Sequence, residues 1–339
     1  MTSSDTRAQI DIRPYRDEDE SEVLALLVES LGHGPAGRRT PEFFEWKHLR
    51  NPFGRSFMLV AEAHGRIVGL RAFMRWRFKA EEETIEAVRA VDTATHPEYQ
   101  GRGIFSRLTL TSIDELRSQA ALVFNTPNDK SRPGYLKMGW EVVGNLPVSI
   151  AVRRPLRFVR GMRDALVDSV RPEVFAAPAA EALSNRQAVT ALLEEARSPE
   201  SRLVTDRSAA YLWWRYGSTS LLDYRAITEY EGGRLRGLVI FRVRPRGTLW
   251  ETGVAEIIVP AGDLKRAERL LSEAARTAPV DHVTCIFPKG SLNARAARAR
   301  FFLPSPRGLT LTTKPLTPFR LDPLRADSWA LSLGDVEVF

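Results

Sequence analysis

The sequence predicts a mixed α/β protein of two tandem halves, each an α+β unit built on a mixed sheet. Three observations carry that reading. Residues 87–116 run as a strand of small and β-branched residues, then a glycine loop, then an amphipathic helix. Strand-like and helix-like segments alternate around that stretch up to residue 154. Short blocks of the first half recur in the second at a fixed spacing: Trp46 and Trp214, like Gly69 and Gly237, are 168 residues apart.

Taken in order, residues 10–13 alternate and form a short strand that Pro14 ends. Residues 17–20 give an acidic start to a helix through Leu31, with Val23, Leu24, Leu27, Val28 and Leu31 on one face. Gly32-His33-Gly34-Pro35 breaks it, and Thr40-Pro41 opens a second helix carrying Phe43, Phe44 and Trp46. Residues 57–63 and 67–78 flank His64-Gly65 as a hairpin. A strand over 85–95 leads to the glycine loop and the helix over 104–116. A buried strand over 121–125, a short helix over 133–138 closed by Gly139, and two strands within 140–153 complete the first unit. The domains are read as 8–154, a connector over 155–183, and 184–339. Arg153, Arg154, Arg157, Arg160 and Arg163 make a solvated bridging face or a docking surface for an anionic partner.

The repeat is informative for what it lacks. Phe44-Glu45-Trp46-Lys47 matches Leu212-Trp213-Trp214-Arg215, and Gly65-Arg66-Ile67-Val68-Gly69-Leu70 matches Gly233-Arg234-Leu235-Arg236-Gly237-Leu238. Asp92 falls near Glu256. After the strand over 255–259, however, Pro260-Ala261-Gly262-Asp263 carries no equivalent of the first glycine loop. The first half is therefore expected to function and the second to be degenerate. A tryptophan shared by both halves speaks for packing.

Composition bounds the partners. At 339 residues, 43% apolar and 27% charged, the chain is of ordinary globular make-up and long enough for two cores. A net charge of +7 suits an acidic ligand, but no aromatic–basic platform points to nucleic acid. The single Cys285 excludes internal disulfides and, within Val283–Phe287, reads as a buried thiol. No apolar run approaches a membrane span, and residues 1–5 lack a signal-peptide core, so a cytoplasmic location is expected. No metal site is expected.

Backbone N–H groups of a glycine loop at a helix N-terminus favour an anion. Ser106 replaces the third glycine of the dinucleotide pattern, and no Gly-Lys-Ser/Thr follows. Gln100-Gly101-Arg102-Gly103-Ile104, with the lead-in Thr95-His96-Pro97-Glu98-Tyr99, resembles the Gln/Arg-x-x-Gly-x-Gly/Ala signature of the GCN5-related N-acetyltransferase (GNAT) superfamily. Gly134-Tyr135-Leu136-Lys137-Met138-Gly139-Trp140 is similar to its closing segment. The resemblance covers residues 8–153; over 184–339 it is one of architecture. The layout of two tandem GNAT-like acyl-CoA acyltransferase domains, one degenerate, is similar to two-domain members such as the enhanced-intracellular-survival acetyltransferases. Phe105 stands where Gly or Ala is usual, and its ring either turns into the core or reshapes the acyl channel.

The resemblance implies acetyl-CoA as donor, and a small-molecule amine that attacks the thioester directly; separately, a monomer or homodimer is expected, because the second half can stand in for a partner subunit. It implies that the backbone of Thr93, Ala94 and Thr95 polarises the thioester carbonyl. The N–H groups of Gln100, Gly101, Arg102, Gly103, Ile104 and Phe105 would hold the pyrophosphate, with the Arg102 side chain either on a phosphate or in solvent. Tyr135 is the candidate acid for the departing thiolate, against a packing role. Asp92 is the candidate base, directly or through water, against a structural pairing with Arg89 or Arg71. His96 is read first as a turn residue. Asn125 and Asn128 either bond the pantetheine or cap the loop. Residues 32–39 are the expected acceptor-side lid. Residues 329–339 read as a final strand, against an active-site role for the Phe339 carboxylate. Two other classes stay open: an acyltransferase using a longer acyl-CoA or an acyl carrier protein, and a non-catalytic acyl-CoA sensor.

Overall fold

The structure, a computed structural model, describes residues 9–32, 39–163, 171–198, 200–305 and 308–336. The strands are β1 (Asp11–Pro14), β2 (Phe57–Ala63), β3 (Arg66–Ala80), β4 (Glu83–Thr95), β5 (Leu122–Asn125), β6 (Glu141–Leu146), β7 (Val148–Val152), β8 (Ala177–Pro178), β9 (Val204–Thr205), β10 (Tyr224–Glu231), β11 (Arg234–Arg246), β12 (Leu249–Ile258), β13 (His282–Ile286), β14 (Leu303–Pro304) and β15 (Leu309–Pro315). The helices are α1 (Glu20–Leu31), α2 (Pro41–Phe44), α3 (Ile104–Leu116), α4 (Arg132–Lys137), α5 (Pro155–Arg163), α6 (Ala179–Ser184), α7 (Arg186–Glu195), α8 (Ala209–Leu212), α9 (Leu264–Ala274), α10 (Leu292–Ala299) and α11 (Leu333–Val336). None is long and apolar enough to cross a membrane.

Two mixed sheets result. The first runs β1-β2-β3-β4-β5-β15-β6, with β9 added at the end of β3; the second runs β8-β10-β11-β12-β13-β7-β14. The two orders correspond strand for strand. Every neighbouring pair along them is antiparallel except β4–β5 and β12–β13, which occupy the same place in each sheet. The halves also exchange a strand. β7 pairs with β13 and β14, while β15 inserts between β5 and β6. The sheets therefore do not divide at residue 154, and the stretch expected as a connector holds α5, β8 and α6 up to Leu183.

Local chemistry explains the elements that position the site. His64 and Gly65 both take positive φ (52° and 71°), the two-residue turn that the β2–β3 hairpin requires. The Thr40 side chain caps the Phe43 N–H at the start of α2, and Ser208 caps Tyr211 in α8. Both helices then loosen into a π-helical turn, Glu45–Leu49 and Trp213–Gly217. Those turns bring Trp46 and Trp214 together: the rings stack at 5.3 Å, and each indole N–H donates to the other's carbonyl, at 2.6 and 2.7 Å. Such a reciprocal contact marks a pseudo-two-fold axis between the halves. One core runs across it, from Val23 and Leu27 through both tryptophans to Leu238 and Ile240.

Residues 329–336 do not form a final strand: Leu333–Val336 is a buried helical turn lodged between β4 and β12. Its carbonyls are taken by Arg89 and Arg215 instead of by a neighbouring strand. Phe339 lies outside the described residues, as do 33–38 of the expected lid.

Candidate active site

β4 is the frame of the site. Its parallel pairing with β5 ends at Arg89–Phe124, so from Ala90 onward the two strands are no longer hydrogen-bonded to each other. Its pairing with β3 continues to Thr95, but slips by one residue: Ala72 faces Val91 and Arg71 faces Thr93. Asp92 is the extra residue of this bulge and takes φ 27°, a strained value for a side chain with a Cβ. Strain of that kind persists only where the surroundings impose it.

The glycine loop lies between β4 and α3. Gly101 and Gly103 have φ 75° and 74°, and nothing lies within 4 Å of where a Cβ would stand on either. Conformation, not crowding, requires glycine there. The first α3 bond runs from Arg107 N–H to the Gly103 carbonyl, which leaves the N–H groups of Ile104, Phe105 and Ser106 outside the helical ladder. The first turn of α3 carries no acidic side chain. An open, left-handed loop feeding an uncapped helix start fits a pyrophosphate. Gln100 Nε2 donates to the Thr95 carbonyl at 3.4 Å, and Arg102 lies over the Tyr99 ring while bonding the Glu98 carbonyl at 3.3 Å.

Tyr135, in α4, is buried beside the bulge. Its hydroxyl accepts from Arg71 Nη1 at 2.9 Å, and the same nitrogen donates to Thr93 Oγ1. Phe105 turns its ring onto α4, edge-on to Tyr135 at 5.7 Å and against Gly134, where a Cβ would come within 3.0 Å of it. The ring thus packs between α3 and α4 beside the tyrosine.

Asp92 is bound by neither Arg89 nor Arg71. Its Oδ2 accepts from Lys47 Nζ at 2.7 Å and from His48 Nε2 at 2.8 Å; Oδ1 lies 4.0 Å from Arg39. His48 is fully buried, and its Nδ1 meets Ser56 Oγ at 2.9 Å. Burial alone would raise the Asp92 carboxyl, but the Lys47 charge and the His48 bond hold it well below the usual carboxylate range. Burial pulls His48 below its ordinary value against the carboxylate's effect. Lys47 and His48 thus favour the ionised form of a carboxylate on a strained residue.

Ala94 is buried in the core, and the Thr95 carbonyl also accepts from Ser30 at 3.2 Å. Asn125 Oδ1 accepts from Thr312 of the exchanged strand β15 at 2.6 Å. Asn128 Oδ1 caps the N–H groups of Lys130 and Ser131 at the approach to α4. His96 pairs with Glu29 at 3.1 Å and receives the Glu98 N–H, the turn role expected of it. Arg157 pairs with Asp281 at 3.2 Å, which docks α5 on the second sheet.

Lys47 and His48 are the site residues that sequence reasoning passed over, and Arg71 was weighed only as a structural partner of Asp92. Lys47 and His48 follow Trp46 in a turn read as core, 45 and 44 residues from the carboxylate they bind. Arg71 gave a usable signal, a charge inside the apolar stretch from Ile67 to Met74. The second half repeats the frame with other chemistry. Tyr216 donates to Glu256 at 2.9 Å, as His48 meets Asp92, but Gly334 of α11 sits against both. Burial there pushes Glu256 up.

Residues 11–143 match the sequence profile of an acetyltransferase (GNAT) domain. No curated protein sequence matches the chain. Among solved structures, the fold is similar to a conserved protein of unknown function from Enterococcus faecalis V583, described as a probable N-acyltransferase, with TM-score 0.63 and 15% identity over 91% of this chain and 73% of that one. A GCN5-related N-acetyltransferase from Anabaena variabilis gives TM-score 0.64 and 12% identity over the same shares. Eis1 from Mycobacterium abscessus gives 0.54 and 14%, over 91% of this chain and 74% of that one. At these identities the structures speak for the fold, and the profile match is confined to the first half. Residues 11–143 thus match a GNAT acetyltransferase domain, and that match, within a fold similar to N-acyltransferase structures, supports acyl transfer.

Proposed function

We propose that the chain transfers an acetyl group from acetyl-CoA to a primary amine of a small molecule, by direct attack of the nitrogen on the thioester. The observation that supports this most is the open loop of Gly101 and Gly103 beside a bulge whose consecutive residues engage two different proton-handling groups. Thr93 shares Arg71 with Tyr135, and Asp92 holds Lys47 and His48. In this reading the N–H groups of Gln100–Phe105 hold the donor's pyrophosphate, and the backbone of Thr93–Thr95 polarises the thioester carbonyl. Tyr135 gives its proton to the departing sulfur. Asp92, held ionised by Lys47 and His48, acts through water: its Oδ1, 4.0 Å from Arg39, orients a water that takes the proton leaving the nitrogen. The second half, with Glu256 covered by α11, serves as a degenerate scaffold domain.

The test is a thiol-release screen of amines with acetyl-CoA, on the wild type and Tyr135→Phe. The expected result is release with at least one amine and a kcat lower by about a hundredfold in the variant. Donor binding without release for any amine favours the sensor. Binding of a longer acyl-CoA without binding of acetyl-CoA favours the longer-chain enzyme.

A further inference from the structure

We infer that Arg71 is a positioning residue that holds the Tyr135 phenol as a proton donor; the inference rests on the acyl-transfer reading above. Arg71 is fully buried, and no carboxylate pairs with it among the described residues. Its Nη1 donates to the Tyr135 oxygen and to Thr93, its Cζ lies 4.3 Å from the Phe73 ring centroid, and Nε and Nη2 have no hydrogen-bond partner. Burying a cation so poorly satisfied is unfavourable, so its presence needs a reason.

The fold does not supply one. Val239 and Ile257 face each other across β11–β12 where Arg71 and Thr93 face each other across β3–β4. That half builds the same sheet with two apolar residues and lacks the glycine loop. It has no tyrosine in α10, the helix that follows β13 as α4 follows β5. Arg71, Thr93 and Tyr135 occur together, and only in the half that keeps the loop.

The chemistry follows from what each group can do. A guanidinium only donates, so the bond to Tyr135 fills a lone pair of the phenol and turns its proton away from Arg71. In the transfer step the C–N bond forms and the C–S bond breaks. The sulfur takes the phenolic proton, the proton leaving the nitrogen goes to water, and water reprotonates the phenolate. The cation at 2.9 Å stabilises the negative charge that develops on the phenolic oxygen.

The test compares wild type, Arg71→Met, Arg71→Lys, Tyr135→Phe and the Arg71→Met/Tyr135→Phe double variant with one active amine. The donors are acetyl-CoA and an aryl thioester whose thiolate leaves without a proton. We expect Arg71→Met to lower kcat about tenfold or more with acetyl-CoA at unchanged donor KM. Arg71→Lys should recover part of the loss, and the double variant should be no slower than Tyr135→Phe. With the aryl thioester both single defects should shrink. A loss from Arg71→Met that multiplies that of Tyr135→Phe, or that persists undiminished with the aryl thioester, overturns the inference and leaves acyl transfer standing. No thiol release by the wild type with any amine overturns both.

Discussion

At the scale of single residues, the Lys47–Asp92–His48 cluster couples the site to pH. Asp92 lies well below the ordinary carboxylate range and His48 below the ordinary imidazole value. Both folded values are depressed, so the unfolded chain binds protons on these groups before the native state does. The stability they contribute is whole above about pH 6.5 and falls on acidification, first through His48, then below about pH 3.9 through Asp92. The melting temperature of the wild type is expected to drop between pH 7 and pH 5, and His48→Asn to flatten that drop. An equal slope in the variant would show that His48 is not the group that titrates. The cluster itself was half legible in the sequence: Asp92 stood out as a charge in an apolar strand, whereas its partners looked like the polar edge of an aromatic helix. Partnership over 45 residues depends on how a π-helical turn aims its side chains, and no periodicity encodes that.

At the scale of the element, the strand–loop–helix unit was the most legible part of the chain. Its glycines, its apolar periodicity and the following tyrosine all constrain local backbone, which the sequence states directly. What was not legible was where the Phe105 ring would go, because that is fixed by Gly134 on another helix. The same unit carries a sharp expectation. Gly103 precedes α3 in the left-handed region with open space around its Cβ position, so Gly103→Ala meets no clash and only backbone strain. That strain costs roughly 1–2 kcal/mol. If the loop gives it up by rotating, the N–H groups of Ile104 and Phe105 rotate with it. Chemical denaturation should therefore show a loss of that size, and calorimetry should show CoA affinity falling while CoA lacking its phosphates is unaffected. Unchanged affinity for intact CoA would mean that the loop is not the anion site.

At the scale of the whole molecule, the sequence showed two halves but not how they interlock. The repeat of Trp46 at Trp214 reads as packing; the structure makes the two tryptophans one contact across a pseudo-two-fold axis. Strand exchange was hidden for the same reason, since pairing of β7 with β13 or β15 with β5 depends on partners more than a hundred residues distant. It has a consequence for the first half expressed alone as residues 1–154. That fragment keeps β7 but lacks β15, so its sheet has an empty place between β5 and β6 while β7 has lost β13 and β14. Both an exposed slot and an exposed strand drive association. The pseudo-symmetry names the cheapest repair: β7 of one copy enters the β15 place of another, and the reverse, giving a strand-swapped dimer. Light scattering on the purified fragment should give twice the fragment mass, and co-expression with residues 155–339 should replace that dimer by a one-to-one complex. A stable, folded monomer of 1–154 would mean that the exchanged strands are dispensable, and that the first sheet folds as a unit without the second.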